Sequence, residues 1–358
     1  MRDVRLSPEG TDPLPTRFGL PPAPRRTNRT KWGTWLDALG LALLAAIVLW
    51  TYEASATRGR PWPVMALLLG CACALAAARL IGDVAGRWLV PAVVLVIAAG
   101  LAIGSEDLLS KRPLSGPFGY GNATGAFFVQ AVAAALMLAA SCRRSVPRIL
   151  ALAVALAAAL VPFRIGSVTA ALLIIMVPAG LLVARWNRGG RAGVAACAVL
   201  FLAALSLTVW LGATYHAGDR SGPVSRLVDQ TLTERRVVLW SEAFDIMRDH
   251  PWAGVGPGRF RLVSPTARKD VDAAWAHDEF LQYGAETGAP GFVLLVLAFL
   301  WAYARLGASG GEWPRALATL SLTALAIHAS VDYVLHFPMI PLTSAALVGT
   351  GVATGRGR

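Results

Sequence analysis

Apolar runs long enough to cross a bilayer recur along this chain, at about residues 36–52, 63–81, 88–104, 122–141, 147–163, 167–185, 192–211, 289–304, 316–334 and 337–354. A helix needs about 20 apolar residues to span the hydrocarbon core, where only intra-helical bonding satisfies the backbone. Ten such runs predict an all-α, polytopic membrane protein. The longest gap between them, residues 212–288, is the one extended polar passage and predicts a single large loop outside the bilayer.

Composition agrees: 56% of residues are hydrophobic and 15% charged, too apolar a balance for a water-soluble chain of this length. A net charge of +12 in a soluble protein would point to nucleic acid. Here the basic residues fall mostly between apolar runs, where membrane orientation accounts for them. Arg79, Arg87, Arg143, Arg144, Arg148, Arg185, Arg188, Arg191, Arg305, Arg315, Arg356 and Arg358 share a side with the N-terminal tail. The short loops opposite carry only Arg58, Arg60, Lys111, Arg112 and Arg164. This asymmetry puts both termini in the cytoplasm and the long loop outside, in the cytoplasmic (inner) membrane. Cys71, Cys73, Cys142 and Cys197 lie in or beside apolar runs, which gives neither a disulfide framework nor a thiolate metal site.

Four parts follow. Residues 1–34 form a Pro- and Arg-rich tail expected to be disordered. Residues 35–211 carry spans one to seven, residues 212–288 the outer loop, and residues 289–358 the last three spans and a short tail. Within the loop, Val237, Trp240, Phe244 and Met247 share a helix face, and Pro251 ends that helix. Gly254–Gly258 makes a turn. A second short helix is expected from about His277 to Gly288, with Pro290 beyond it. Both helices are expected to lie on the outer membrane interface.

The order R-x-x-x-W (Arg236, Trp240), then H-P-W-x-G-V-G-P-G-x-F (His250–Phe260), then H-D-E-F-L-Q-x-x-x-E-T-G-x-x-G (His277–Gly291) resembles the O-antigen ligase and polymerase superfamily of bacterial membrane glycosyltransferases. Ser115–Asn122 (SGPFGYGN) and Val331–Pro338 (VDYVLHFP) resemble that family's turn before the fourth span and its closing segment. The resemblance covers roughly residues 110–350. Two departures stand out: the family often has Asn where this chain has Asp278, and its Ser-Arg-Gly turn is matched only by Phe163–Ser167, with Arg164.

The resemblance implies a GT-C-like fold. It also implies transfer of a glycan from a polyprenyl-diphosphate donor to a glycan, lipid or protein acceptor hydroxyl at the outer face, without metal or other cofactor and without nucleic acid. Such a reaction needs a base for the acceptor hydroxyl and fixed positive charge for the departing diphosphate. His277, at the start of a short helix, is the candidate base; an interfacial hydrogen-bonding His is the plainer alternative. Arg236 is the candidate diphosphate ligand, its planar fork matching phosphate oxygens; contact with lipid headgroups is the alternative. Arg235 is its neighbour round the helix, and only one of the two should face the site. Arg164, at the outer end of a span, is a second phosphate candidate against simple snorkelling. Glu286 could orient His277 or the acceptor, or simply be solvated. Asp270 and Asp272 form an Asp-x-Asp more often solvated than metal-bound. His328 and Asp332, four apart on one face of the ninth span, are intramembrane polar residues and so functional candidates, though a structural hydrogen bond between them would explain them equally well.

A different function class, a transporter of an anionic solute, would predict internal repeats and charges near mid-membrane. The chain shows no repeat, and its polar residues gather in one loop. A non-catalytic envelope-assembly protein is the third reading. The sequence leaves open the sugar, the acceptor, and the choice between ligase and polymerase.

Overall fold

The computed structural model describes residues 27–56, 59–110, 115–186, 190–215, 234–270, 273–310 and 312–353. All regular structure among them is helical: α1 (Thr27–Ala54), α2 (Trp62–Val84), α3 (Leu89–Ile103), α4 (Gly121–Ser141), α5 (Ser145–Arg164), α6 (Val168–Trp186), α7 (Arg191–Thr214), α8 (Glu234–Asp249), α9 (Glu279–Gly307), α10 (Glu312–Ala329) and α11 (Met339–Val352), with single turns between. A helix stands on each expected apolar run. Six of them, α1, α2, α4, α5, α7 and α9, are long and apolar enough to cross a membrane, and α3, α6 and α11 contain shorter apolar helices. Ten crossings remain an expectation. The chain's N-terminal segment and Asp272 lie outside the described residues.

The bundle is built around α4, which is buried along most of its length. Its sequence, GNATGAFFVQAVAAALMLAAS, is dominated by small side chains that let α5, α6, α10 and α11 pack closely. One buried polar contact fixes its rotation: the Gln130 amide donates to Ser321 O at 3.2 Å and its carbonyl accepts from the Ser321 hydroxyl. At one rim Asp37 of α1 receives Arg79 of α2 at 2.8 Å and Arg305 of α9 at 2.6 Å. The opposite rim gathers the start of α4, the α5–α6 turn, α8, the start of α9 and the turn after α10.

α9 is broken at Gly288 (φ 76°, ψ 178°), with Pro290 just beyond. The separate short helix expected before Gly288 therefore exists, but not on the membrane surface. Residues 279–288 are buried on every side, because α8, the glycine-rich turn and the turn after α10 pack against them. The break frees backbone carbonyls, and the glycine-rich turn takes them up. Val255 N donates to Ala285 O at 3.0 Å and Gly256 N to Glu286 O at 2.9 Å, while Trp50 Nε1 reaches Thr287 O at 2.8 Å. Ala289 N returns a bond to Pro251 O at 2.8 Å. Gly254 (φ 63°) has to be glycine here: a Cβ would meet the backbone of residues 285–287. The turn is thus a splint across a broken helix.

α8 also differs from a surface helix. Val237, Leu239, Trp240, Ala243 and Ile246 are buried against α7 and α9, in a second apolar cluster with Leu211, Phe260, Leu281 and Ala285. Glu242, on its flank, accepts from Thr266 N and the Thr266 hydroxyl at 3.1 and 2.6 Å and from the Ser264 hydroxyl. These bonds tie the loop's two small helical turns back onto α8.

Candidate active site

The rim site is centred on a buried carboxylate. α10 ends at Ala329, sooner than the apolar run suggests, and the turn that follows places Asp332 with no exposed surface. Tyr120 Oη donates to both carboxylate oxygens at 2.8 and 2.9 Å. Asn122 Nδ2 donates to Oδ2 at 2.5 Å, Arg236 Nη2 to Oδ2 at 2.9 Å, and Tyr333 N to Oδ1 at 2.8 Å. His277 Nδ1 lies 3.2 Å from Oδ1, off the line of a good hydrogen bond. Burial alone would push this carboxyl up, but His277, Arg236 and His328 outweigh it and hold it at about 2. Asp332 is therefore ionised at any working pH, and its charge is matched by Arg236.

The donors arrive from several elements. Tyr120 and Asn122 come from the Gly/Pro/Asn turn that opens α4, where Gly116 (φ 68°) and Gly119 (φ 67°) turn the chain into the helix. Ser167, in the α5–α6 turn, donates to Asn122 Oδ1 at 2.6 Å and so orients the amide. Arg236 comes from the first turn of α8 and also donates to Val331 O at 3.2 Å. His277 precedes α9. Its backbone is held from α8, where Trp240 Nε1 donates to His277 O at 2.9 Å. His277 is the one non-glycine residue at positive φ (55°) among the described residues. Such backbone strain persists where the surroundings enforce it. The His277 ring stands edge-on to Tyr333 at 4.8 Å, and Tyr333 stacks on Tyr120 at 4.6 Å.

His277 and Arg236 thus meet on Asp332, although neither is near it in sequence. The other sequence candidates do not join them. Arg235 turns the other way and pairs with Asp270, so one carboxylate of the Asp-x-Asp already has a partner. Arg164 sits three residues before Ser167, at the same rim, but its guanidinium donates to Ser110 O at 2.8 Å. Glu286 is neither solvated nor in contact with His277. It is 5% exposed and accepts from Gly258 N at 2.7 Å and Phe260 N at 3.1 Å, anchoring the glycine-rich turn. His328 makes no hydrogen bond to Asp332: both its ring nitrogens are buried without a hydrogen-bond partner.

The sequence candidates omitted Tyr120, Asn122, Ser167 and Tyr333 as parts of the site, and held Asp332 only as a polar partner of His328. All but Ser167 stand in the two passages SGPFGYGN and VDYVLHFP, and Ser167 ends the Phe163–Ser167 segment. What sequence could not supply was their convergence on one carboxylate.

The structure is thus an apolar helical bundle, six of whose helices are long and apolar enough to cross a membrane, with a polar, strained, charge-matched cluster at one rim. Residues 151–296 match a family described as O-antigen ligase. The match, over residues 151–296 of the chain, supports the O-antigen ligase/polymerase superfamily and an enzyme of that type in a bacterial membrane. Arg236, His277 and Ser167 lie inside the matched segment, whereas Tyr120, Asn122 and Asp332 lie outside it. None of the curated proteins compared matches the chain.

Proposed function

We propose that this protein transfers a glycan from a polyprenyl-diphosphate donor to an acceptor hydroxyl at the outer face of the cytoplasmic membrane, with His277 as the base. The observation that carries this reading is the meeting of His277 and Arg236 on the buried Asp332. The carboxylate favours the proton on Nδ1, which leaves Nε2 as the basic nitrogen. As the acceptor oxygen attacks the anomeric carbon, its proton passes to Nε2. The bond from that carbon to the diphosphate breaks, and the lipid diphosphate leaves with the electron pair. The imidazolium formed is stabilised by Asp332, and closer approach in the substrate complex would straighten the 3.2 Å contact. Arg236 spends two of its N–H groups on Asp332 and Val331. A guanidinium has five, so three remain for phosphate oxygens where negative charge develops.

The arrangement also supports the orientation read from charge: the site rim is the one away from the Arg79–Asp37–Arg305 cluster. The test is transfer of a lipid-linked glycan in a strain lacking the gene, complemented with variants. His277→Ala and Arg236→Ala should each abolish the product while the protein still inserts at wild-type level. Full transfer by His277→Ala would remove the base, and with it this mechanism.

A further inference from the structure

A second carboxylate–imidazole pair stands beside Tyr333, whose ring meets His336 edge-on at 6.2 Å, and the mechanism above does not use it. Glu279, the first residue of α9 and 6% exposed, accepts at Oε1 from Leu335 N (2.6 Å), His336 N (3.1 Å) and His336 Nδ1 (3.0 Å). His336 Nε2 lies 3.4 Å from Gln282 Nε2, and Gln282 Oε1 accepts from Ala276 N at 2.9 Å. Gln282 is 2% exposed. One backbone N–H fixes every role in this chain. Ala276 N can only donate, so Gln282 must present its oxygen there and its NH2 to His336. Nε2 must then accept, which leaves the proton on Nδ1, facing Glu279. The chain ends on the residue before His277, whose φ of 55° has to be enforced from outside. Trp240 holds the carbonyl side of His277; the Gln282 amide holds the side before it.

We propose that Glu279, His336 and Gln282 are positioning residues for His277: they lock the Ala276 backbone while His336 is neutral and release it when His336 gains a proton. The inference rests on the reading of His277 as the base. A second proton on His336 would set Nε2–H against the Gln282 NH2, two donors face to face. Turning the amide to accept from Nε2–H would take its oxygen away from Ala276. Burial disfavours the charged ring, but Glu279 and, more weakly, Glu286 overcome this and raise the His336 pKa above its ordinary value. Both are on α9. Of the other elements packed on the turn, the residue before α4 and the turn after α10 bring Tyr120 and Asp332 against Tyr333 and His277 instead, His328 of α10 is coupled to Asp332 and Arg236, and α11 has no titratable residue.

Hydrogen exchange of the 273–281 segment in the purified full-length protein tests the lock without any substrate. At pH 7.5 the Ala276 amide should be protected, and Gln282→Leu should speed its exchange about tenfold, the worth of one buried hydrogen bond. In the wild type, protection corrected for intrinsic rate should fall as pH drops through the His336 titration. Gln282→Glu should keep it, because a carboxylate can accept from Ala276 N and from His336 Nε2–H together. Glycan transfer in the complemented strain should follow: reduced about tenfold by Gln282→Leu at pH 7.5, and falling less between pH 7.5 and 5.5 in Gln282→Glu than in the wild type. Unchanged Ala276 exchange in Gln282→Leu would overturn the lock, whatever His277→Ala does. Lost protection with undiminished transfer would overturn the positioning role. Only transfer by His277→Ala bears on the base itself, so the two failures are distinguishable.

Discussion

Replacing Asp278 with Asn should stabilise the protein, and by an amount that grows with pH. Asp278 caps α9 from a buried position, its Oδ1 accepting from Phe280 N and Leu281 N at 2.9 Å each. Burial outweighs those bonds and raises the carboxyl from the ordinary 3.8 to about 7. Between these values the unfolded chain has lost a proton that the folded chain still binds, so stability falls as pH rises through the window. Below it the carboxyl is neutral in both states and nothing is lost; above pH 7 the loss is complete. The window is roughly three pH units wide, and at about 1.4 kcal/mol for each the full effect is about 4 kcal/mol. Asn keeps an accepting oxygen for the two amides and carries no charge, and the Thr208 hydroxyl beside the carboxyl can accept from its NH2. Thermal unfolding in detergent, followed by tryptophan fluorescence, should show the two proteins alike near pH 4 and the Asp278→Asn variant more stable by several degrees at pH 8. A difference constant across that range, or a less stable variant at pH 8, would refute the assignment of the effect to a buried charge.

Arg235 and Arg236 should separate cleanly in the transfer assay. Arg235→Ala breaks only a half-exposed pair with Asp270, worth at most about 1 kcal/mol, and should stay within about threefold of wild type, whereas Arg236→Ala should fall by more than about 100-fold. Trp240→Phe keeps the buried ring but removes the donor to His277 O. Stability should drop by about 1 kcal/mol and transfer by about tenfold, measured by unfolding and by product formation. Gly288→Ala should fail to give monodisperse protein on size exclusion, because φ is 76° and a Cβ would run into the backbone carbonyl of Trp252.

How much of this was legible in the sequence depends on the distance over which each feature is written. The apolar runs and the Gly288–Pro290 stop are local, and each has its counterpart in a helix or its break. The requirement for one arginine of the 235–236 pair is also local: successive side chains on a helix point about 100° apart, and Arg236 reaches Asp332 while Arg235 reaches Asp270. Burial is not local. Residues 279–287 read as an amphipathic surface helix because Glu279, Gln282 and Glu286 are polar. All three are internal, each matched to backbone amides: Glu279 to residues 335 and 336, Gln282 to 276, and Glu286 to 258 and 260. A polar residue whose partner is a main-chain N–H elsewhere leaves no trace in a pattern of side-chain types.

The same reasoning explains why the centre of the site is a residue that the loop does not contain. His277 and Arg236 are loop residues, but neither is oriented by its loop neighbours alone. The ring is aligned by Asp332 and Tyr333 from the turn after α10, and Asp332 is tolerable only because Tyr120, Asn122 and Arg236 all donate to it. A buried carboxylate with any of these removed would be left under-satisfied, at a penalty of about 1–3 kcal/mol for each missing bond. The bundle therefore does more than anchor the loop in the membrane. Docking α4 against the α10 turn assembles the carboxylate's donors, and folding α8 across that rim adds the guanidinium. The broken α9, splinted by the glycine-rich turn, delivers the imidazole. In the proposed mechanism the acting imidazole and guanidinium come from residues 212–288, but their geometry is set by helices and turns outside that passage.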